Sequence, residues 1–143
     1  MADITVTAAD VAIDNTDLTQ YGFAGEAITT GQLIFRSGGT TGTWYLVDID
    51  ALATAPEDQD GSEYGISLNS AAAAGAPVAY ARSGSVVSFG GVLTTNTIYK
   101  GSVNPGGITA DATASGDFGV LVGHAISGSQ LSLRFQGSGV STA

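Results

Sequence analysis

Apolar and polar positions alternate along most of this chain, and the period is two rather than the three-to-four spacing of a helix. Leu33-Ile34-Phe35, Thr43 to Val47 (TWYLV), Gly65 to Leu68, Pro77 to Ala81, Val86 to Phe89 and Thr97 to Lys100 each read as a short strand. Phe118 to Ile126 (FGVLVGHAI) is nearly continuous in apolar residues, as expected of a strand covered on both sides. Leu131 to Phe135 alternates cleanly after the turn Ser127-Gly128-Ser129, which makes this pair the clearest hairpin in the sequence. Between the strands stand turn signals: Thr29-Thr30-Gly31-Gln32, Ser83-Gly84-Ser85, Gly90-Gly91 and Asn104-Pro105-Gly106-Gly107.

Two stretches break the pattern. In NSAAAAGAPVAYAR, Asn69 to Arg82, four alanines invite a helix, but Gly75 and Pro77 follow at once. A helix so short does not hold by itself. The expected form is about one turn capped by Asn69 or Ser70, ended by Gly75 in the left-handed region, and leading into the strand from Pro77. It is a connector. Asp48 to Glu63 carries six of the thirteen acidic residues and reads as an exposed excursion, with room for one helical turn at Ala51 to Thr54.

At the start, Ile4 and Val6 alternate with threonine, and the phase then shifts by one to Val11 and Ile13, so a bend or bulge is expected between them. The expectation is an all-β chain: a compact small β-barrel or sandwich with glycine-rich turns and at most one or two short helical turns. It divides into an extended N-terminal arm (1–15), a single β-rich domain (16–137) and a flexible tail (138–143).

Composition sharpens the functional reading. Glycine, at 21 of 143 residues, is about twice its usual ~7% share. Thirteen acids face four Lys and Arg, for a net charge of −9. A nucleic-acid surface needs a basic stripe to displace counterions, so DNA or RNA binding is not expected, nor is attachment to anionic lipid. There is no cysteine, hence no disulfide or thiolate site. MADITVTAAD has neither the basic nor the apolar part of a signal peptide, and no apolar run approaches the ~20 residues of a membrane-spanning helix.

Candidate chemistry is thin. His124 is the sole histidine, and its apolar strand marks it as a neutral core or rim residue rather than the base of a triad; no G-x-S-x-G elbow occurs. Asp58 to Glu63 faintly resembles a calcium loop but lacks the frame and distal Glu of an EF-hand, so no metal site is assigned. No phosphate-cradling glycine motif is present and no cofactor is expected. Trp44-Tyr45 could stack on a sugar, but alternation sends the two rings to opposite faces. No enzyme activity is expected.

Three phrases carry a resemblance. AGEAITTGQLIFRSGGTTGTWYLVDID, then YGISLNSAAAAGAPVAYARSGSVVSFGGVLTTNTIYKGS, then GDFGVLVGHAISGSQLSLRFQGSG stand in the order seen in capsid decoration (cement) proteins of tailed bacteriophages. The chain from about Tyr21 to Gly139 resembles that group. The resemblance implies a homo-oligomer, with a trimer favoured, made in the host cytoplasm. It would bind the major capsid protein on the outer capsid surface of the virion and bridge neighbouring subunits. On that expectation the arm is the candidate partner-binding element. Ile4, Val6, Val11 and Ile13 would add as a strand to a capsid sheet edge, or else form the first strand of the domain itself. If they do dock on the capsid, removing residues 1–15 weakens capsid binding and leaves the domain folded. Two rival readings are a fibre- or adhesin-type β-module that binds a cell-surface or glycan ligand, and a calcium-dependent module built on the acidic loop.

Overall fold

The computed structural model describes residues 3–15, 18–36, 43–49, 63–111 and 118–141. They form two antiparallel sheets, face to face, with only single turns of helix. The strands are β1 (Ala12–Ile13), β2 (Thr19–Phe23), β3 (Leu33–Arg36), β4 (Trp44–Leu46), β5 (Glu63–Ser67), β6 (Pro77–Ala81), β7 (Val86–Ser88), β8 (Ile98–Gly101), β9 (Ile108–Thr109), β10 (Phe118–Ala125) and β11 (Gln130–Ser141). One sheet has the order β1-β7-β11-β10-β8-β9, the other β2-β6-β5-β3-β4. The expected all-β fold is present, sandwich-like and not closed into a barrel.

The main core lies between the sheets. Leu33, Phe35, Tyr64 and Ile66 of the five-stranded sheet meet Val87, Tyr99, Val120, Val122, Leu131 and Leu133 of the other. Alternation explains the selection, since residues two apart share a face. Each such side chain contributes roughly 1.5–3 kcal/mol by leaving water.

The other face of the five-stranded sheet has its own apolar cluster: Ala24, Ile28, Ile34, Trp44, Ala71, Val78 and Tyr80. Trp44 and Tyr80 pack with ring centroids 4.1 Å apart at 40°. The sheet curls around this cluster until its two ends touch. Ala24 bridges Trp44, the Gly25 N–H donates to the Trp44 carbonyl at 2.7 Å, and the Glu26 carboxylate accepts the Leu46 N–H at 2.9 Å. Gly22 lies directly under Trp44; a Cβ there would stand 2.6 Å from the indole nitrogen.

The polyalanine connector closes this cluster. Ala71 bridges Ile28 and is buried, while Ala72 to Ala74 face solvent. No helical turn forms: a tight turn runs from Ala73, whose carbonyl accepts the Ala76 N–H, and Gly75 takes φ +89° as anticipated. Asn69 does not cap a helix. Its side chain acts as a piece of strand, Oδ1 accepting the Ala79 N–H at 2.6 Å and Nδ2 donating to the Pro77 carbonyl at 3.2 Å.

Three expectations change. β10 is not covered on both sides, because His124 is exposed. Its pairing slips between Leu121 and Gly123 against both neighbours. Val120 and Val122 face the core before the slip; Gly123 and Ala125 face it after, opposite Leu133 and Leu131. A bulge thus reverses the alternation and turns His124 outward. Second, the tail expected from residue 138 is a paired strand as far as Ser141, which lies opposite Phe118. β10 begins early enough to supply those residues with a partner.

Third, the arm does not stand apart. A 3-10 turn at Ala8–Asp10 takes up the phase shift, where a bend was expected. After it, Ala12 and Ile13 pair with Ser88 and Val87 as the first strand of the six-stranded sheet.

Candidate interaction surfaces

The four arm residues are all half-buried against the main core of their own chain. Val6 and Val11 close over Gly31, which has φ +85° and no room for a side chain. The Ile4 N–H donates to the Ile108 carbonyl at 2.9 Å. Beside it, Asp3 Oδ2 accepts from Ser102 Oγ at 2.8 Å and from Asn104 Nδ2 at 2.9 Å, which ties the start of the arm to the turn after β8. Of the two roles weighed for these residues, the contacts show them within the domain. A strand offered to a capsid edge would first have to leave β7 and this core.

His124 stands on the outer face of the six-stranded sheet, between Ile98 of β8 and Ser132 of β11. Trp44 and Tyr45 do point to opposite faces. Trp44 is 1% exposed in the second cluster, and Tyr45 packs on the main core with its ring 6.0 Å from that of Phe35. Both rings are committed to packing, so they form no shared platform for a sugar.

The acidic stretch from Asp50 to Ser62, with its calcium-like spacing and the helical turn expected at Ala51 to Thr54, lies outside the described residues. Glu63, at its end, is engaged within the sheet: Tyr80 Oη donates to Oε2 at 3.1 Å, and Arg36 Nε lies 3.6 Å from Oε1. Burial, then the Glu63 charge and hydrogen bond, push the Tyr80 hydroxyl up to about 12. Among the described residues no three His, Asp or Glu side chains gather as a metal site would require.

One surface went unrecognised in the sequence. Tyr21 and Phe23 are 78% and 60% exposed, the two most exposed large apolar side chains described. They lie two apart on β2 and so share a face, opposite to the one on which Gly22 meets Trp44. The readable signal was Tyr-Gly-Phe itself: two aromatic residues in phase around a glycine.

No protein family, curated protein or solved structure matches this chain.

Proposed function

We propose that the chain is a structural virion protein that binds the outer surface of an icosahedral phage head and stabilises it by bridging major capsid subunits. The observation that carries this reading is the order of the three phrases resembling decoration proteins. Their described residues include β3 and β4, then β5 to β8, then β10 and β11, so the likeness follows the scaffold of both sheets. Surface character supports it. The acidic chain, at −9, keeps apart from nucleic acid and suits an external position on a DNA-filled shell.

In this reading the arm stays on its own domain during docking. Moving Ile4, Val6, Val11 and Ile13 out of a half-buried position would sacrifice about 1 kcal/mol each. Repetition of the same contact over the lattice supplies the holding strength if copies are linked.

The test is co-sedimentation of the purified protein with expanded, undecorated heads of the phage encoding it, with unexpanded shells as the control. Saturable binding to expanded heads with a raised shell-disruption temperature is the expected result. Absence of binding to either shell refutes the reading and moves the fibre- or adhesin-type module to first place.

A further inference from the structure

Charge is unevenly divided over the molecule. The strands of the six-stranded sheet, β1 and β7 to β11, contain no Asp or Glu. Yet they hold Lys100, His124 and Arg134, three of the five Lys, Arg and His residues in the chain. With a net −9 for the whole chain, the +2 of Lys100 and Arg134 leaves −11 for the remainder. The acids nearest in sequence, Asp10, Asp14, Asp111 and Asp117, stand beyond the strand ends. Asp14 is engaged at the β1 edge by Gln130 Nε2 at 2.9 Å, and Asp3, past the end of β8, by Ser102 and Asn104.

The register gathers these three basic side chains on the outer face. His124 lies between Ile98 and Ser132. Lys100 stands opposite Leu121, and Leu121 opposite Gln136. Arg134 and Gln136 are exposed, while Phe135 between them packs on the core. Strands lie about 4.8 Å apart, so Lys100 on β8 and Arg134 on β11 are roughly 10 Å apart across β10. Between them are half-buried Leu121 and Ile98, the latter 53% exposed. The slip in β10 is what brings His124 into this group. The result is an apolar centre with cations at its rim.

We propose that the outer face of the six-stranded sheet is a docking face for an acidic protein surface. The inference rests on the head-binding reading, in which that surface belongs to the major capsid subunits, and it names the side of the domain that meets them.

Charge complementarity selects the occupant. An acidic surface is drawn to this face and repelled by the remainder of the chain, so approach and orientation are set together. A DNA duplex carries a charge every ~1.7 Å and would run past three side chains into the acidic remainder. A second copy is opposed for another reason. A two-fold pair would set the same cations against each other. Exposed ion pairs are individually weak, so Leu121 and Ile98 add apolar contact and repetition over a lattice adds holding strength.

The test is co-sedimentation of the full chain with expanded heads at low and high salt, for the wild type, Arg134→Glu, Lys100→Glu and Arg82→Glu. Each substitution moves the net charge equally, from −9 to −11. Arg82, however, is exposed on the turn after β6, and its charge acts on Tyr80 of the other sheet. Salt is expected to weaken wild-type binding. Arg134→Glu and Lys100→Glu weaken it at least ~10-fold, because like charges then face each other, and Arg82→Glu stays within ~2-fold. Thermal circular dichroism checks that Arg134→Glu, at an exposed site, remains folded. A wild type that binds no head removes the head-binding reading and this inference together. Binding indifferent to salt, or equal in Arg134→Glu, leaves that reading standing and overturns this face alone. Retention of a duplex DNA probe, or salt-sensitive polymers of the protein alone that Arg134→Glu dissolves, also overturns it, since the face then serves nucleic acid or a second copy.

Discussion

Gly123→Ala places one methyl group where the bulge of β10 brings two backbones together. The new Cβ would meet the Ser132 carbonyl oxygen at less than contact distance, the Ser132 carbonyl carbon at 2.9 Å and Leu133 Cα at 3.1 Å. All three atoms are main chain of β11, which is held on its far side by β7. No side chain can swing away, so the strands must separate. Overpacking of this kind costs about 1–3 kcal/mol, and a weakened ladder bond adds about 1. Alanine recovers about 0.4–1 kcal/mol by restricting the unfolded chain. The net loss is about 2–3 kcal/mol. For 143 residues, at ~2.1 cal/mol/K per residue, the unfolding entropy is ~300 cal/mol/K, so each kcal/mol lowers Tm by about 3 °C. A fall of about 6–10 °C is expected by thermal circular dichroism. Gly128→Ala is the matched control, because its nearest neighbour is the Leu93 carbonyl at 3.7 Å and its stability should be unchanged or slightly raised. Gly75→Ala separates the other cause: there is open space around it, but φ is +89°, which costs an L-residue about 1–2 kcal/mol. If Gly123→Ala melts with Gly128→Ala, the close approach of β10 and β11 does not exist and the account of the bulge is wrong.

Tyr80 predicts an alkaline limb of stability. Its hydroxyl keeps its proton to about pH 12 in the fold but only to about 10 when unfolded, so its contribution is whole below pH ~10 and is lost between ~10 and ~12. With screening at the partly exposed Glu63 partner, that loss is about 1–2 kcal/mol. Absorbance titration should show a late step from Tyr80, and Tyr80→Phe should remove both that step and this part of the pH dependence. Trp44→Ala empties the second cluster above Gly22 and costs about 3–5 kcal/mol in urea unfolding; a loss under ~1 would contradict the packing described. Asn69→Ala strands the Ala79 N–H and costs about 1–3 kcal/mol, while Asn69→Asp, which keeps the acceptor, loses less. Removing residues 1–15 deletes four half-buried side chains that pack on the core and costs about 4 kcal/mol, so a truncated chain as stable as the full one would show that the arm is not part of the core.

The legible part of this fold was local. Alternation placed β6 at Pro77–Ala81, found strands at β3 and β4, and located the β10–β11 hairpin, because pleating links every second side chain to one face. Gly75 takes the left-handed position that its sequence indicated, and Gly31, Gly84 and Gly106, inside turns legible in the sequence, also have positive φ. Other features were set between segments distant in the chain. The outward turn of His124 depends on a slip in pairing against both β8 and β11, and no window of β10 contains those partners. The arm's pattern, apolar in alternation, suits a foreign sheet edge and its own equally well; β7 and the space above Gly31 decide the matter.

The candidate surface divides in the same way. Tyr21-Gly22-Phe23 spelled out two aromatics in phase, and alternation put them on one side of a strand. That this side would remain uncovered was decided elsewhere. The curl of the five-stranded sheet around Trp44 and Tyr80 carries β2 away from the opposing sheet, so rings of ordinary core character stay in water. Sequence by itself determined which residues alternate and where the chain turns, since those follow from backbone sterics within a few residues. Which face met the core and which end was tied down came from tertiary packing, where burial is shared among strands that the chain brings together only once folded.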